Sequence, residues 1–314
     1  MATGMSSTAA RAKLTIVMLA SIMMVNISFG ATLEVGANKT YKMPSDAAAV
    51  AKNGDHVEIA PGEYFDCAVW HADDLVIEGT APGVVITDKT CMGKGLFVIS
   101  GNNTTVRNLT LTRARVPDMN GAGIRLDRGS LTVEGVKFIN NQNGILGGTP
   151  GDTIIIRNSD FVKNGICDPN CAHGVYINQA DLLHIENSRF SETQQAHSIK
   201  SRALRTEVIG CTITDGPTGT SSYLIDIPNG GTVIVRGNTF EKGPKSENHT
   251  TAIAIGEEGV NRRTPEITVS DNSYRNDGDF NTFLVWNTTA TPAELKNNKF
   301  IGAISPLKGD GESK

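Results

Sequence analysis

The sequence predicts an all-β fold, a parallel β-helix solenoid of about nine to ten coils. Two observations and one absence predict it. A strand–turn–strand segment recurs along most of the chain, a second strand series lies between its copies, and no helical period is long enough to connect parallel strands. The recurring segment reads LVIEG (75–79), TVRNLTL (105–111), LTVEGVKF (131–138), IIIRNSDF (154–161), LHIENSRF (183–190), TEVIGCTI (206–213), VIVRGNTF (233–240), ITVSDNSY (267–274) and AELKNNKF (293–300). Its turn residue moves from position 79 to 297 in eight steps, about 27 residues per repeat. The second series is GIRLD (123–127), GILGG (144–148), GVYIN (174–178), SIKSR (198–202), YLIDI (223–227), AIAIG (252–256) and FLVWN (283–287). Strands that follow one another without helices must pair with their equivalents one repeat away, so stacked coils bury one continuous interior.

Two columns set the register. Phe138, Phe161, Phe190, Phe240, Tyr274 and Phe300 recur at coil spacing and should point inward, about 4.8 Å apart along the axis. Two residues ahead of that column position in successive repeats come Ser159, Ser188, Cys211, Asn238, Asn272 and Asn298, small polar residues suited to a hydrogen-bonded ladder at the bend. Cys211 in that column reads as an inert buried thiol. Pro44-Ser45-Asp46 followed by Ala47–Lys52 reads as a short N-terminal cap helix with Ser45 as N-cap, closing the open end of the first coil.

The chain has 314 residues with 29 Lys plus Arg and 33 Asp plus Glu, a net charge of −4. Such a surface repels nucleic acid and anionic membrane over most of its area, so no nucleic-acid partner is expected. Residues 1–30 read as a signal peptide: Arg11 and Lys13, an apolar run from Leu14 to Phe29, then Ser28 and Gly30 at a cleavage site. The remainder is expected to be a single β-helix domain over 31–302 and a flexible C-terminal tail over 303–314, secreted or periplasmic, monomeric and without a membrane span. In that compartment Cys67 pairs with Cys91, one coil away, and Cys167 with Cys171 across a tight Asp-Pro-Asn segment.

DAAAVAKNGDHVEIAPGEY (46–64) resembles the opening of the pectin-lyase-like right-handed parallel β-helix superfamily: cap helix, Gly-Asp, strand, Pro-Gly-x-Tyr. With the repeats, the resemblance covers about residues 33–301 and implies a right-handed coil. It leaves activity open, because the superfamily holds lyases, hydrolases, epimerases, esterases and non-enzymatic surface proteins.

Chemistry is expected on the outward face of the second strand series. Taking Ile124, Ile145, Val175, Ile199, Leu224 and Ile253 as inward, the outward column reads Arg125, Leu146, Tyr176, Lys200, Ile225, Ala254. Two residues on come Asp127, Gly148, Asn178, Arg202, Ile227 and Gly256, while His173 and His197 hold equivalent places before their strands. Under this register Asp226 points inward, as a satisfied buried acid near Arg202 or as the mark of a register shift. Uronate β-elimination needs a cation on the C5 carboxylate, a base for the C5 proton and an acid for the leaving oxygen; C5 epimerisation uses the same parts. Arg202 is suited to the carboxylate. Lys200 would be the base if Arg202 depresses its pKa, with Tyr176, His173 or His197 donating. Arg125, Asn178, Arg205 and Asp226 complete the expected substrate contacts. Glu257 and Glu258 could flank the same groove, and Tyr223 and Trp286 could stack on sugar rings. HSIKSRA (197–203) also resembles the Lys-Ser segment of the alginate and chondroitin-B lyase family, in which that lysine is the base. The resemblance carries over to Lys200 and Ser201 alone. The family's next-coil Arg-His-Gly is replaced here by YLIDIPNGG (223–231), and its calcium-linked acid by Gln195-Ala196-His197. Calcium is the one cofactor this comparison raises, with no ligand set assigned. The expected partner is an acidic polysaccharide; the alternative is a non-catalytic β-helix that binds glycan or another surface component.

Overall fold

The computed structural model describes residues 1–2, 4 and 30–314. The signal-peptide expectation falls largely on residues 3 and 5–29, which lie outside the described residues. From Thr32 onward the chain winds into a parallel β-solenoid of about 11 turns, slightly more than the sequence count. Its three faces are a 12-stranded sheet and two 10-stranded sheets in which each strand's neighbours come from the preceding and following coils. One coil per repeat forms because each repeat supplies three short β-branched strands and a residue that tolerates the left-handed bend. Asn108, Gly135, Asn158, Asn187, Gly210, Gly237, Asp271 and Asn297 all take φ between 49° and 66° at the same corner.

The interior columns stand where periodicity places them. Phe138, Phe161 and Phe190 pair in register, with ring centroids 4.6 and 4.5 Å apart and planes within 9°. Ile213 interrupts the aromatic column before Phe240 and Tyr274 continue it. Beside it, Ser159 N–H donates to Ser188 Oγ at 3.2 Å, Cys211 N–H to Asn238 Oδ1 at 2.8 Å and Asn238 N–H to Asn272 Oδ1 at 2.9 Å. Backbone donors at the bend are thereby satisfied without water. Cys211 is buried and free, and burial raises its thiol to about 11. Cys67 is bonded to Cys91 and Cys167 to Cys171.

Two local expectations are corrected. The cap helix is Pro44–Ala48, its N-cap is Met43, and Asp46 Oδ2 accepts the Met43 N–H at 3.0 Å. Ser45 sits inside the first turn instead, because its N–H is taken by Asp66 Oδ2 at 2.8 Å. Residues 303–314 are not an unpaired tail: Ile304–Gly309 pairs with Thr282–Asn287, and Gly311–Ser313 with Ala293–Lys296. They lack an apolar period because they lie largely exposed, yet the coil beneath supplies a complete row of backbone partners.

Candidate functional site

The site lies on the 10-stranded sheet that runs from Ala68–Trp70 to Ile304–Gly309. Val175 pairs with Ile199, and Ile199 with Ile225 rather than Leu224. The coil at 223–227 is therefore shifted by one residue from the sequence register. Its Tyr-Leu-Ile-Asp-Ile run offers two apolar phases, and the phase adopted puts Ile225 and Ile227 in line with Ile253 and Ile255. Asp226, not Ile225, consequently joins the outward column: Arg125, Leu146, Tyr176, Lys200, Asp226, Ala254, Trp286. Pro228, not Ile227, follows Arg202 in the next column.

Outward there does not mean exposed. Lys200 is 6% and Asp226 0% exposed, because the loop after Thr251–Ile255 folds back across them. Glu258 N–H donates to Pro228 O at 3.1 Å and Arg262 N–H to Asn229 O at 3.0 Å, fastening that loop along the preceding coil. Gly256 turns the chain at φ 85°, where a Cβ would come within 2.8 Å of Thr288 Oγ1. The fold-back lays Glu257 and Glu258 over the two cations.

Lys200 Nζ donates to Asp226 Oδ2 at 2.7 Å and to Glu258 Oε1 at 2.6 Å. Arg202 donates through Nη2 to Glu258 Oε2 at 2.5 Å, through Nε to the Tyr176 hydroxyl at 3.2 Å, and through Nη1 to Asn229 Oδ1. Burial would pull the Lys200 ammonium down, but Asp226 and Glu258 outweigh it and the pKa is raised. The expectation that Arg202 would depress Lys200 into a resting base is thus not met; two carboxylates touch the ammonium, and the guanidinium is spent on one of them. Burial likewise opposes ionisation of Glu258, yet its bonds to Lys200 and Arg202 hold it at about 2.

His173, His197 and Tyr223 form a stack at the strand entrances, with centroids 4.9 and 5.0 Å apart. His173 Nδ1 accepts the His197 N–H at 3.2 Å, and His197 Nδ1 accepts the Tyr223 N–H at 3.1 Å. These bonds assign the tautomer of His197: Nδ1 is an acceptor, and Nε2–H faces Asp226 Oδ2 at 3.4 Å. Burial and Lys200 hold His197 down to about 3, and burial, His197 and Lys200 hold His173 well below the usual range. Both imidazoles are therefore neutral braces of the backbone, and neither carries a spare proton at neutral pH. Beside His197 opens a pocket of about 580 Å³ lined also by Cys167, Cys171, Ser222, Glu247, Asn248, His249 and Thr250.

Other expected contacts lie outside this cluster. Arg125 is two coils away beyond Leu146 and pairs with Asp127 at 3.7 Å, which Lys94 also bonds at 2.6 Å. Arg205 belongs to the 12-stranded sheet, where it pairs with Glu207 at 2.6 Å. Asn178 is exposed directly after the Tyr176 strand. Three carboxylates, Asp226, Glu257 and Glu258, come within 4.8 Å of one another, but Lys200 and Arg202 already hold two of them. A second group within that distance, His56, Glu58 and Glu78, is on the 12-stranded sheet, with Arg107 on Glu78. Sequence reasoning noticed Glu257 and Glu258 without a role and missed Asn229. The available signal was GEEG directly after a strand, two glycines placing two acids beside a cationic column.

Among the described residues no helix is long and apolar enough to cross a membrane. No curated protein matches the chain. An alginate lyase from Paenibacillus sp. str. FPU-7 superposes with a TM-score of 0.60 at 17% identity, over 90% of this chain and 99% of that one. The pectate lyase Pel9A superposes with a TM-score of 0.58 at 14% identity, over 92% of this chain and 80% of that one. ORF18 of Geobacillus virus E2 does so at 0.54 and 11%, over 82% and 53%. At such identities the likeness is one of fold. The family described as the right-handed β-helix region matches residues 148–306, more than half of the chain, and the protein belongs to that family.

Proposed function

We propose that this protein is exported and acts on an acidic, uronate-containing polysaccharide by abstracting the proton at C5, as a β-elimination lyase or a C5-epimerase. One observation carries the reading. Lys200, on an outward strand position, and Arg202, directly after that strand, together grip a single partly exposed carboxylate, that of Glu258. A uronate carboxylate that displaced Glu258 would meet the same ammonium and guanidinium, and two cations on it acidify the C5 proton.

The roles differ from those the strand pattern implied. Lys200, held protonated, serves with Arg202 as the carboxylate clamp rather than as the resting base. Tyr176, half-buried with its oxygen on Arg202 Nε, is left as the side chain that meets the C5 proton. Its ring lies about 6 Å from both cations, at 6.0 Å from Lys200 Nζ and 5.9 Å from the Arg202 guanidinium. That the resting cations are fully paired also suits a second reading, a β-helix that binds glycan without turning it over.

The test is incubation of purified protein with a panel of uronate polymers, with and without calcium or a chelator. Ultraviolet absorbance of an unsaturated uronate reports a lyase, and solvent deuterium at C5 without cleavage reports an epimerase. Tyr176→Phe and Arg202→Ala should each lower kcat/KM by at least about 100-fold, the usual worth of a positioned proton-transfer or charge-stabilising group. Binding without either product supports the second reading. Turnover unchanged in both variants would end the assignment.

A further inference from the structure

We infer that Asp226 and Glu257 share a single proton in the resting protein, and that Glu257 is the catalytic acid that delivers it to the substrate. The second half rests on the reading proposed above; the first half does not.

The argument begins with two oxygens that have nothing to bond. Asp226 is completely buried, and its Oδ2 is used by Lys200 and faces His197, but its Oδ1 has no donor. Glu257 Oε2 is also buried and also without a donor. Two buried acceptors left unbonded would each cost about 1–3 kcal/mol. Oxygens of the two carboxyl groups come within 4.8 Å of each other, so one proton held between them satisfies both sides at once.

Charge counting gives the same answer. Asp226, Glu257 and Glu258 carry three negative charges when ionised, Lys200 and Arg202 two positive ones, and the buried histidines none. The cluster is left at −1, which one proton cancels and a divalent cation would overshoot. The groups that bear on Glu257 agree in sign. Burial and the buried Asp226 carboxylate favour its neutral form, Lys200 opposes them, and Glu257 ends at about 8. Tyr223, the other titratable neighbour, is itself raised, first by burial. Glu258, next in the chain, is ionised on its two cations.

Position makes that proton useful. Asp226 is sealed, whereas Glu257 is only partly buried, so it joins a closed reservoir to the open groove above the clamp. In β-elimination Tyr176, once deprotonated, takes the C5 proton, and the C5–H electron pair becomes the C4=C5 double bond. The C4–O4 bond breaks with its electrons on O4, and Glu257 gives O4 its proton. The Asp226–Glu257 pair is then doubly ionised and regains a proton from solvent, while Tyr176 releases the C5 proton to solvent, which restores the starting state.

The experiment follows side-chain carboxyl carbons by NMR in protein labelled with ¹³C at Asp and Glu, from acid to alkaline pH, with Glu257→Gln to assign the signal. One glutamate should titrate near neutral to weakly alkaline pH, and Glu257→Gln should abolish that titration while leaving the fold intact. A Glu257 that titrates at about 4–5, the ordinary range, overturns the shared proton. So does a saturable response of its signal to calcium alone at neutral pH, which would put a cation between the oxygens. On whichever polymer the protein processes, Glu257→Gln should lower kcat by about 100-fold or more and remove the alkaline limb of its pH profile. Wild-type kcat and profile in that variant overturn the acid role. A shifted titration in a protein that processes no uronate polymer would instead overturn the proposed reaction and leave the proton pair standing.

Discussion

Two stacks of rings run along overlapping coils. Phe138, Phe161 and Phe190 lie inside at 4.6 and 4.5 Å, and His173, His197 and Tyr223 lie at the mouth of the groove at 4.9 and 5.0 Å. The spacing is the coil's, dictated by backbone pairing between neighbouring turns, and it is the same whatever the rings are. What differs is the surroundings. The inner rings belong to the buried apolar core and are held by packing; of the outer ones, the two imidazoles accept backbone N–H groups and His197 faces a buried carboxylate. Periodicity therefore makes columns, and only the chemistry of a column's neighbours makes a site.

The sharpest way to break this comparison is to remove an inner ring. Phe161→Ala should cost about 3–5 kcal/mol, since it leaves a void between two stacked neighbours with no freedom to close it. Thermal unfolding measures it, and a loss below about 1 kcal/mol would mean that the inner column is not tightly packed.

The next effect separates the stacks by pH. His197 falls from an unfolded 6.5 to about 3 in the fold, so the unfolded chain binds more protons between them. Its contribution is present above 6.5 and is lost as pH falls below it. Glu257 rises from 4.5 to about 8, so the folded chain holds the extra proton; its contribution is present below 4.5 and is lost as pH rises through 8. Melting temperature should therefore decline from neutral pH toward 8 in the wild type and more gently in Glu257→Gln, while the acid-side loss persists in both. Parallel curves for the two proteins would separate Glu257 from the outer network. No such dependence is expected to change in Phe161→Ala.

The smallest expected change is at Glu258, whose side chain is 43% exposed. Glu258→Gln should lower stability by about 1–2 kcal/mol, because Lys200 is buried but keeps Asp226 as a partner. It should nonetheless tighten binding of uronate oligomers several-fold, because the clamp loses its resident carboxylate. Weaker binding in that variant would assign Glu258 to substrate recognition instead.

The same contrast explains what the amino-acid order disclosed. The inner column was legible because Phe or Tyr recurs two residues after Ser or Asn beside a left-handed bend. Tyr176 and Lys200 were placed side by side for the same reason. The phase of 223–227 was not legible, because Leu224, Ile225 and Ile227 can all face inward and only packing against Ile199 and Ile253 decides. Nor were the partners of the cations: Glu257, Glu258 and Asn229 sit on connections between strands, where no repeat applies. The charge state of Lys200 followed those partners and so was misread with them.

The glycine-hinged fold-back at 256–259 has one more consequence. Lys200 and Asp226 are fixed on a rigid ladder, while Glu257 and Glu258 arrive on a connection whose length the ladder does not dictate. Lengthening or trimming such a connection re-cuts the wall of the groove without disturbing the strands below. Ligand preference and structural integrity are thus written in separate stretches of the chain, and one can be altered while the other is kept.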